Sequence, residues 1–267
     1  MQSVIGNRLF PVSGHAIWSV LFYQITTISS PKTVFSGMDR AENELVEAVL
    51  GAYRDGAFPM ADGRDAADRG SPIGWYRPDP RAILPIKPEV LGLTEGVHLP
   101  RRLMRTVRSS RFRVTTDRAF DAVVRSCAMP RRDTESCSSE TWIDDRIAAA
   151  FALLHEAGHA HSIETWAEDD AGEHVLVGGV YGLAVGGVFC AESMFSLPEF
   201  GGRDASKVAL VHLIEHCTRL GFFVIDTQFT NPHIEQFGVV EVELERYIDL
   251  LERVRDEEIS WLPLPGE

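Results

Sequence analysis

Gly178 to Ser196 reads GGVYGLAVGGVFCAESMFS, and further along Val224 to Asn231 reads VIDTQFTN. Val, Tyr, Leu and Phe dominate the first stretch, and the Gly186-Gly187 pair in its middle predicts a turn between two antiparallel strands. Its single charge, Glu192, sits among apolar and small residues. The second stretch repeats the anomaly: Phe222, Phe223, Val224 and Ile225 lead a buried strand directly into Asp226 and, two positions on, Gln228. Period-two alternation places Asp226 and Gln228 on one face. A buried charge costs several kcal/mol unless it is paired or used. Taken alone, the trio fits a structural hydrogen-bond network as well as it fits a site.

Working outward, HSIETWAED, EHVLVGGVYGLAV and VFCAESMFS predict three consecutive antiparallel strands. A helix follows, with Asp204 as its N-cap and Gly221 as its stop, then the Asp226 strand and a final strand and helix. Before the meander, Ile147, Phe151 and Leu154 line a helix entered at Trp142, complemented at its N-terminus by Asp144 and Asp145 and ended by Gly158. A first helix spans Asp39 to Asp55, and the prolines of IGWYRPDPRAILPI favour short extended pieces. The fold class is therefore α+β with one mixed, mostly antiparallel sheet. A boundary near 130–141 divides an N-terminal lobe, 38–135, from a C-terminal lobe, 136–255, with 256–267 as a tail.

The 267 residues are 45% hydrophobic, enough for a substantial core. Four widely spaced cysteines form no CxxC pair, which points to a reducing compartment. The apolar run Ala16 to Ile28 is shorter than the ~20 residues a bilayer span needs and has no clear small-x-small cleavage site. Residues 1–37 are expected to be an extension, with Met38 as the start of the protein proper.

The formal charge of −13 argues against general nucleic-acid affinity, but it is unevenly distributed. From His98 to Arg118 seven arginines face one acid, so this window carries +6 and the remainder −19. Arg101, Arg105 and Arg108 fall at i, i+4 and i+7 of a helix opened at Pro100. A charged helix face is usually just solvated. Three arginines on one face without interleaved acids repel one another until a polyanion neutralises them, which favours phosphate binding.

His155 to His159, HEAGH, matches the HExxH zinc-protease pattern. That chemistry needs both histidines on one helical face. Gly158 stops the helix before His159, so the metal reading is rejected.

In order along the chain, FPMAD, GWYRPDPRAILP, TWI, LHEAGHAHSIETW, LVGGVYGLAVGGVFCAESMFS, ASKVAL and IDTQFTN resemble the leucyl/phenylalanyl-tRNA-protein transferase family over about residues 45–250. The resemblance implies transfer of Leu or Phe, with Met as a further donor, from aminoacyl-tRNA to the N-terminal Arg or Lys of an acceptor protein in the cytoplasm, marking it for N-degron proteolysis. It implies a C-terminal lobe like the GCN5-related acetyltransferases and no metal or organic cofactor. Asp226 and Gln228 match the family's catalytic pair, with Asp226 polarising Gln228, and Glu192 matches the carboxylate of the ESMFS signature, facing the acceptor's cation. Trp142 matches the tryptophan beside the aminoacyl-adenosine pocket and Asn231 a neighbouring polar residue. Arg101, Arg105 and Arg108 stand where the family binds the acceptor stem. An apolar pocket around Trp142, Val180 and Leu213 is expected to hold the aminoacyl side chain, with Cys217 and Met60 as further substrate-binding residues, although Met60 replaces a common Trp, and Leu213 and Cys217 stand where phenylalanines often line the pocket. The GLLA-GGDL segment is missing and loops at 62–70, 130–140 and 197–203 are longer. The competing class is a non-catalytic tRNA- or N-degron-binding protein of the same fold.

Overall fold

A computed structural model describes residues 8–9, 38–61, 73–129 and 141–267. The expected extension at 1–37 lies outside the described residues except for Arg8–Leu9, which pair with Pro78–Asp79. Two of the longer loops, 62–70 and 130–140, also lie outside them.

The chain opens with α1 (Arg40–Arg54), where Asp39 and Glu42 form a reciprocal capping box. Strands β1 (Phe58–Ala61) and β2 (Ile73–Tyr76) form a small antiparallel pair. Then come β3 (Arg81–Pro85), α2 (Arg101–Arg108), β4 (Arg113–Thr116) and α3 (Phe120–Cys127). Helix α4 (Asp145–Glu156) starts where the Asp144 carboxylate accepts from the Arg146 and Ile147 amides. The meander is β5 (Ala160–Glu168), β6 (His174–Val185) and β7 (Val188–Ser196), antiparallel throughout as its sequence requires. Helix α5 (Ala205–Leu220), β8 (Val224–Gln228), the short α6 (Pro232–Glu235), β9 (Val240–Val242) and α7 (Leu244–Val254) complete the fold.

Seven strands form one sheet in the order β9-β3-β8-β7-β6-β5-β4. Only the β7–β8 pair is parallel, because α5 carries the chain across between them. The sheet takes β3 and β4 from before residue 135 and its other strands from after it. Alternate residues of the central strands separate two cores. Ile83, Tyr181, Cys190 and Val224 pack with α1, α3, α4 and α7, whereas Leu84, Val180, Phe189 and Ile225 pack with α2 and α5.

One local expectation is corrected. Asp204 does not cap α5: its φ of +68° removes it from the extended conformation an N-cap needs, and its carboxylate accepts from Lys207 instead, at 3.1 Å. The expected tail is also docked, since the Trp261 indole stacks on His161 at 4.4 Å and donates to the Thr116 hydroxyl at 3.0 Å. No helix among the described residues is long and apolar enough to cross a membrane.

Gly182 faces Ala191 beside a bulge in β7, where Glu192 is the extra residue. A Cβ there would lie 2.2 Å from the Cys190 carbonyl oxygen and 2.5 Å from the Phe189 ring. Gly182→Val should therefore destabilise the protein by about 1–3 kcal/mol through overpacking, read as a lower urea midpoint; an unchanged midpoint would mean the hairpin tolerates a side chain at its tightest point.

Candidate active site

Asp226 is completely buried in β8, between β3 and β7. It survives there because Arg81, from β3, meets it with two parallel N–H donors: Nε to Oδ1 at 2.9 Å and Nη2 to Oδ2 at 2.5 Å. The third guanidinium nitrogen donates to the Gly56 carbonyl at 3.0 Å. Burial works against the guanidinium charge, but the Asp226 carboxylate more than offsets it and holds Arg81 above its ordinary pKa. The Tyr247 hydroxyl donates to Oδ2 at 2.8 Å, and the Gln228 backbone N–H donates to Oδ1 at 2.9 Å. Four donors thus fill both carboxylate oxygens.

The pairing of β8 shifts between Asp226 and Gln228, and Gln228 has φ +57°. Period-two alternation therefore ends at Asp226, and the two residues are neighbours through a left-handed backbone turn. Asp226 contacts the Gln228 main chain, where the sequence reading expects it to polarise the side chain. Two orientations of the Gln228 amide compete. One makes a single 3.4 Å contact from Nε2 to Glu192 Oε1. The reversed one donates to the Ala191 and Thr227 carbonyls at 3.1 and 3.0 Å. Two shorter bonds to groups that need them outweigh one long bond, so the reversed orientation is favoured.

Glu192, in β7, is 9% exposed and lines a cleft of about 770 Å³ together with Val180, Met194, Leu210, Thr227 and Asn231. Burial pushes its carboxyl up to about 8, the Asp226 charge adding to the effect while Tyr53 and Arg81 oppose it. The buried Tyr53 and Tyr181 hydroxyls, both in its field, have no hydrogen-bond partner of good geometry. Burial therefore favours the neutral form of Glu192, which attracts a cation less than a carboxylate does. The site thus joins apolar walls to a buried carboxyl that keeps its proton to higher pH than usual.

Proteins of known family share this chain's sequence over most of its length. A family profile described as leucyl/phenylalanyl-tRNA protein transferase matches residues 90–252, and a second, for the N-terminal domain of the same proteins, matches residues 45–79. A leucyl/phenylalanyl-tRNA–protein transferase from Novosphingobium aromaticivorans is 43% identical over 220 residues, covering 82% of this chain and 74% of the relative. Those from Afipia carboxidovorans and Pseudomonas syringae are 41% and 40% identical, covering 87% and 79% of this chain and 88% and 80% of the relatives. The chain belongs to this family.

The other expected site residues divide. Val180 and Asn231 line the cleft with Glu192, although the Asn231 side chain is also spent on capping α6, accepting from the His233 amide at 3.0 Å. Leu213 and Cys217 do not line it: they are buried in the second core on α5, one turn and more beyond Leu210, which does. Met60 and Trp142 also lie off the cleft, packed against the first core. Arg101, Arg105 and Arg108 are exposed along α2 as expected and have no ion-pair partner among the described residues. The sequence reading does not single out Arg81, Tyr247 or Tyr53. A lone arginine inside PDPRAILP carries the same anomaly as Asp226 and is the one signal that could have found the partner.

The HEAGH geometry fails as expected, because α4 ends at Glu156 and Gly158 has φ +79°. His155 instead meets Asp117 and His161, the one group among the described residues whose ligand-type atoms lie within 4.8 Å of one another. His155 Nδ1 already faces the Ala160 carbonyl, and His161 Nδ1 faces Asp117, both at 2.8 Å, beneath the docked Trp261. These engagements fit a polar clamp for the tail.

Arg81→Met strands the Asp226 charge and should cost about 3–5 kcal/mol, with partial recovery when Asp226→Asn is added. Urea unfolding of the two single variants and the pair measures this; equal losses with no recovery would show that the two side chains do not stabilise the fold as a pair.

Proposed function

We propose that this transferase moves a leucyl or phenylalanyl group, with methionyl as a further donor, from aminoacyl-tRNA to the α-amine of an acceptor protein that begins with Arg or Lys, in the cytoplasm, and so creates an N-terminal degradation signal. The observation that carries the reading is the cleft itself. It has apolar walls for an acyl side chain and, within it, a carboxyl set against a filled ion pair, in a chain of this family.

Glu192, Gln228 and Asp226 form the centre of the site: Asp226 fixes the Gln228 main chain, Gln228 positions Glu192, and Glu192 meets the incoming amine. Positioning an amine against an ester carbonyl supplies much of the rate in such a reaction. Val180, Met194 and Leu210 contact the donor side chain, each buried methylene contributing about 0.8 kcal/mol; Asn231 lines the same cleft, Leu213 and Cys217 back that wall from the second core, and Trp142 and Met60, which lie off the cleft, are kept as substrate-binding residues of the family. The negative charge of the whole chain favours cationic acceptors over acidic ones. No metal or organic cofactor takes part.

Residues 136–255 are assigned to a catalytic lobe like the GCN5-related acetyltransferases, a reading supported by the antiparallel meander, crossover helix and parallel strand of β5 to β8. Residues 38–135 supply the tRNA-binding helix. A non-catalytic binding protein of the same fold is disfavoured, because the buried Glu192, Asp226 and Gln228 are kept at a cost that binding alone does not require.

Mixing the protein with charged Leu-, Phe- or Met-tRNA and peptides beginning with Arg, Lys, Asp or Glu should add the mass of one amino acid to the Arg and Lys peptides. Bound tRNA without mass addition to any peptide would favour the binding protein instead. Arg105→Glu with Arg108→Glu should weaken tRNA binding and flatten the dependence of log K on log salt by about 1 for each phosphate left without its arginine. A slope equal to that of the unaltered protein would place the tRNA elsewhere.

A further inference from the structure

The geometry points to Glu192, with Gln228 in a positioning role, as the group that takes the proton from the attacking α-amine and returns it to the leaving ribose oxygen. This rests on the reading of the cleft as the transfer site.

Three observations converge. First, access: Glu192 lines the cleft, whereas Asp226 is wholly buried and Gln228 is 5% exposed, and neither is part of the cleft lining. Second, saturation: Arg81, Tyr247 and the Gln228 N–H fill both oxygens of Asp226, which makes no contact with the Gln228 amide group. Charge therefore has no hydrogen-bonded route from Asp226 through that amide to an amine. Third, the amide orientation: with Nε2 on the Ala191 and Thr227 carbonyls, the Gln228 oxygen takes the position 3.4 Å from Glu192 Oε1. A small approach from that distance would let neutral Glu192, the one group of the two able to carry a proton, donate to the Gln228 oxygen, and a turned amide would donate to the ionised form.

The step balances. With Glu192 ionised and the amine neutral, nitrogen attacks the ester carbonyl carbon, the C–N bond forms and the carbonyl π pair moves to oxygen. One N–H proton passes to the Glu192 carboxylate. The tetrahedral intermediate collapses, the ester C–O bond breaks, and the same proton goes to the ribose oxygen. An ester and an amine become an amide and an alcohol, and Glu192 ends as it began. A carboxyl held near 8 suits both halves, because an ordinary α-amine titrates at about 7.7–8.0 and transfer between matched groups is efficient.

The groups around Glu192 leave the assignment readable. Tyr53 from α1, Tyr181 from β6 and Cys190 from β7 are all held well above their ordinary values by burial. Tyr247 from α7 is raised in the same way, and Arg81 from β3 stays charged beside Asp226 from β8. His233, Glu199 and Cys127 also line the cleft, and His233→Gln and Glu199→Gln serve as controls.

Single-turnover transfer from Phe-tRNA to an Arg-initiated peptide, followed between roughly pH 6 and 8, separates the outcomes. Both Glu192 and the amine must lose a proton, so log kcat/KM of the unaltered protein should rise with a slope approaching 2 at the acid end. Glu192→Gln, which mimics the neutral acid in shape, should keep its thermal transition and its tRNA affinity, lose about 10²–10⁴-fold in rate and show a slope of 1. Glu192→Asp should keep the steeper slope at a reduced rate, and His233→Gln and Glu199→Gln should keep it as well. A Glu192→Gln slope equal to that of the unaltered protein overturns the assignment while leaving the transfer reading intact. Loss of tRNA affinity in Glu192→Gln, or no transfer by the unaltered protein, overturns the site reading beneath it.

Discussion

The pair formed by Arg81 and Asp226 joins segments that are far apart in the chain, and most of the site follows from it. Asp226 cannot be buried without a cation, and Arg81 cannot be buried without an anion. Their parallel hydrogen bonds fix β3 against β8, and the remaining Arg81 donor reaches back to the end of α1 at Gly56. Phe58 and Tyr247 then enclose the guanidinium with ring faces at 5.2 and 4.6 Å, which excludes water from the charge. Because Oδ1 also receives the Gln228 N–H, the same pair holds Gln228 in a left-handed backbone that a non-glycine residue adopts only when its surroundings over-determine it.

With both oxygens of Asp226 occupied, the neighbouring carboxyl is left with a different chemistry. Glu192 has comparable burial but no cation in direct contact, so desolvation prevails and its proton is retained to higher pH. The two carboxyl groups thus differ in their partners: Asp226 is held by Arg81, Tyr247 and the Gln228 N–H and ties the strands together, while Glu192 lines the cleft.

Much of this is legible in the sequence wherever the signal is local. The meander follows from strand periodicity and from Gly186-Gly187, the α4 start from Asp144, and its end from Gly158. Glu192, Asp226 and Gln228 stand out as polar residues in apolar strands. What stays hidden depends on partners distant in sequence. Arg81 lies 145 positions from Asp226, and among the prolines of its segment it reads as one more loop charge. The bulge at Thr227, just before Gln228, breaks the alternation used to place Gln228. Leu213 and Cys217 illustrate a third limit. Helical spacing puts them on the buried face of α5, but whether that face meets the cleft or the closed second core depends on how far the helix runs beneath the sheet.

An acidic chain that binds tRNA is self-defeating only if distance is ignored. At physiological salt, charges more than about 8 Å apart are largely screened. The +6 window therefore acts on a phosphate placed over α2, while most of the −19 spread over the rest of the chain does not. Helix α2 also packs directly on α5, whose Ser206 and Leu210 line the cleft. On the proposed reading, a tRNA seated on the arginines would be referenced to the cleft through two packed helices, and the sequence-independent energy of the phosphates would bring an ester to Glu192. The weak apolar discrimination of the pocket is left to act on a donor already in place, which is the order in which binding energy from a remote contact best serves a reaction at the chain's end.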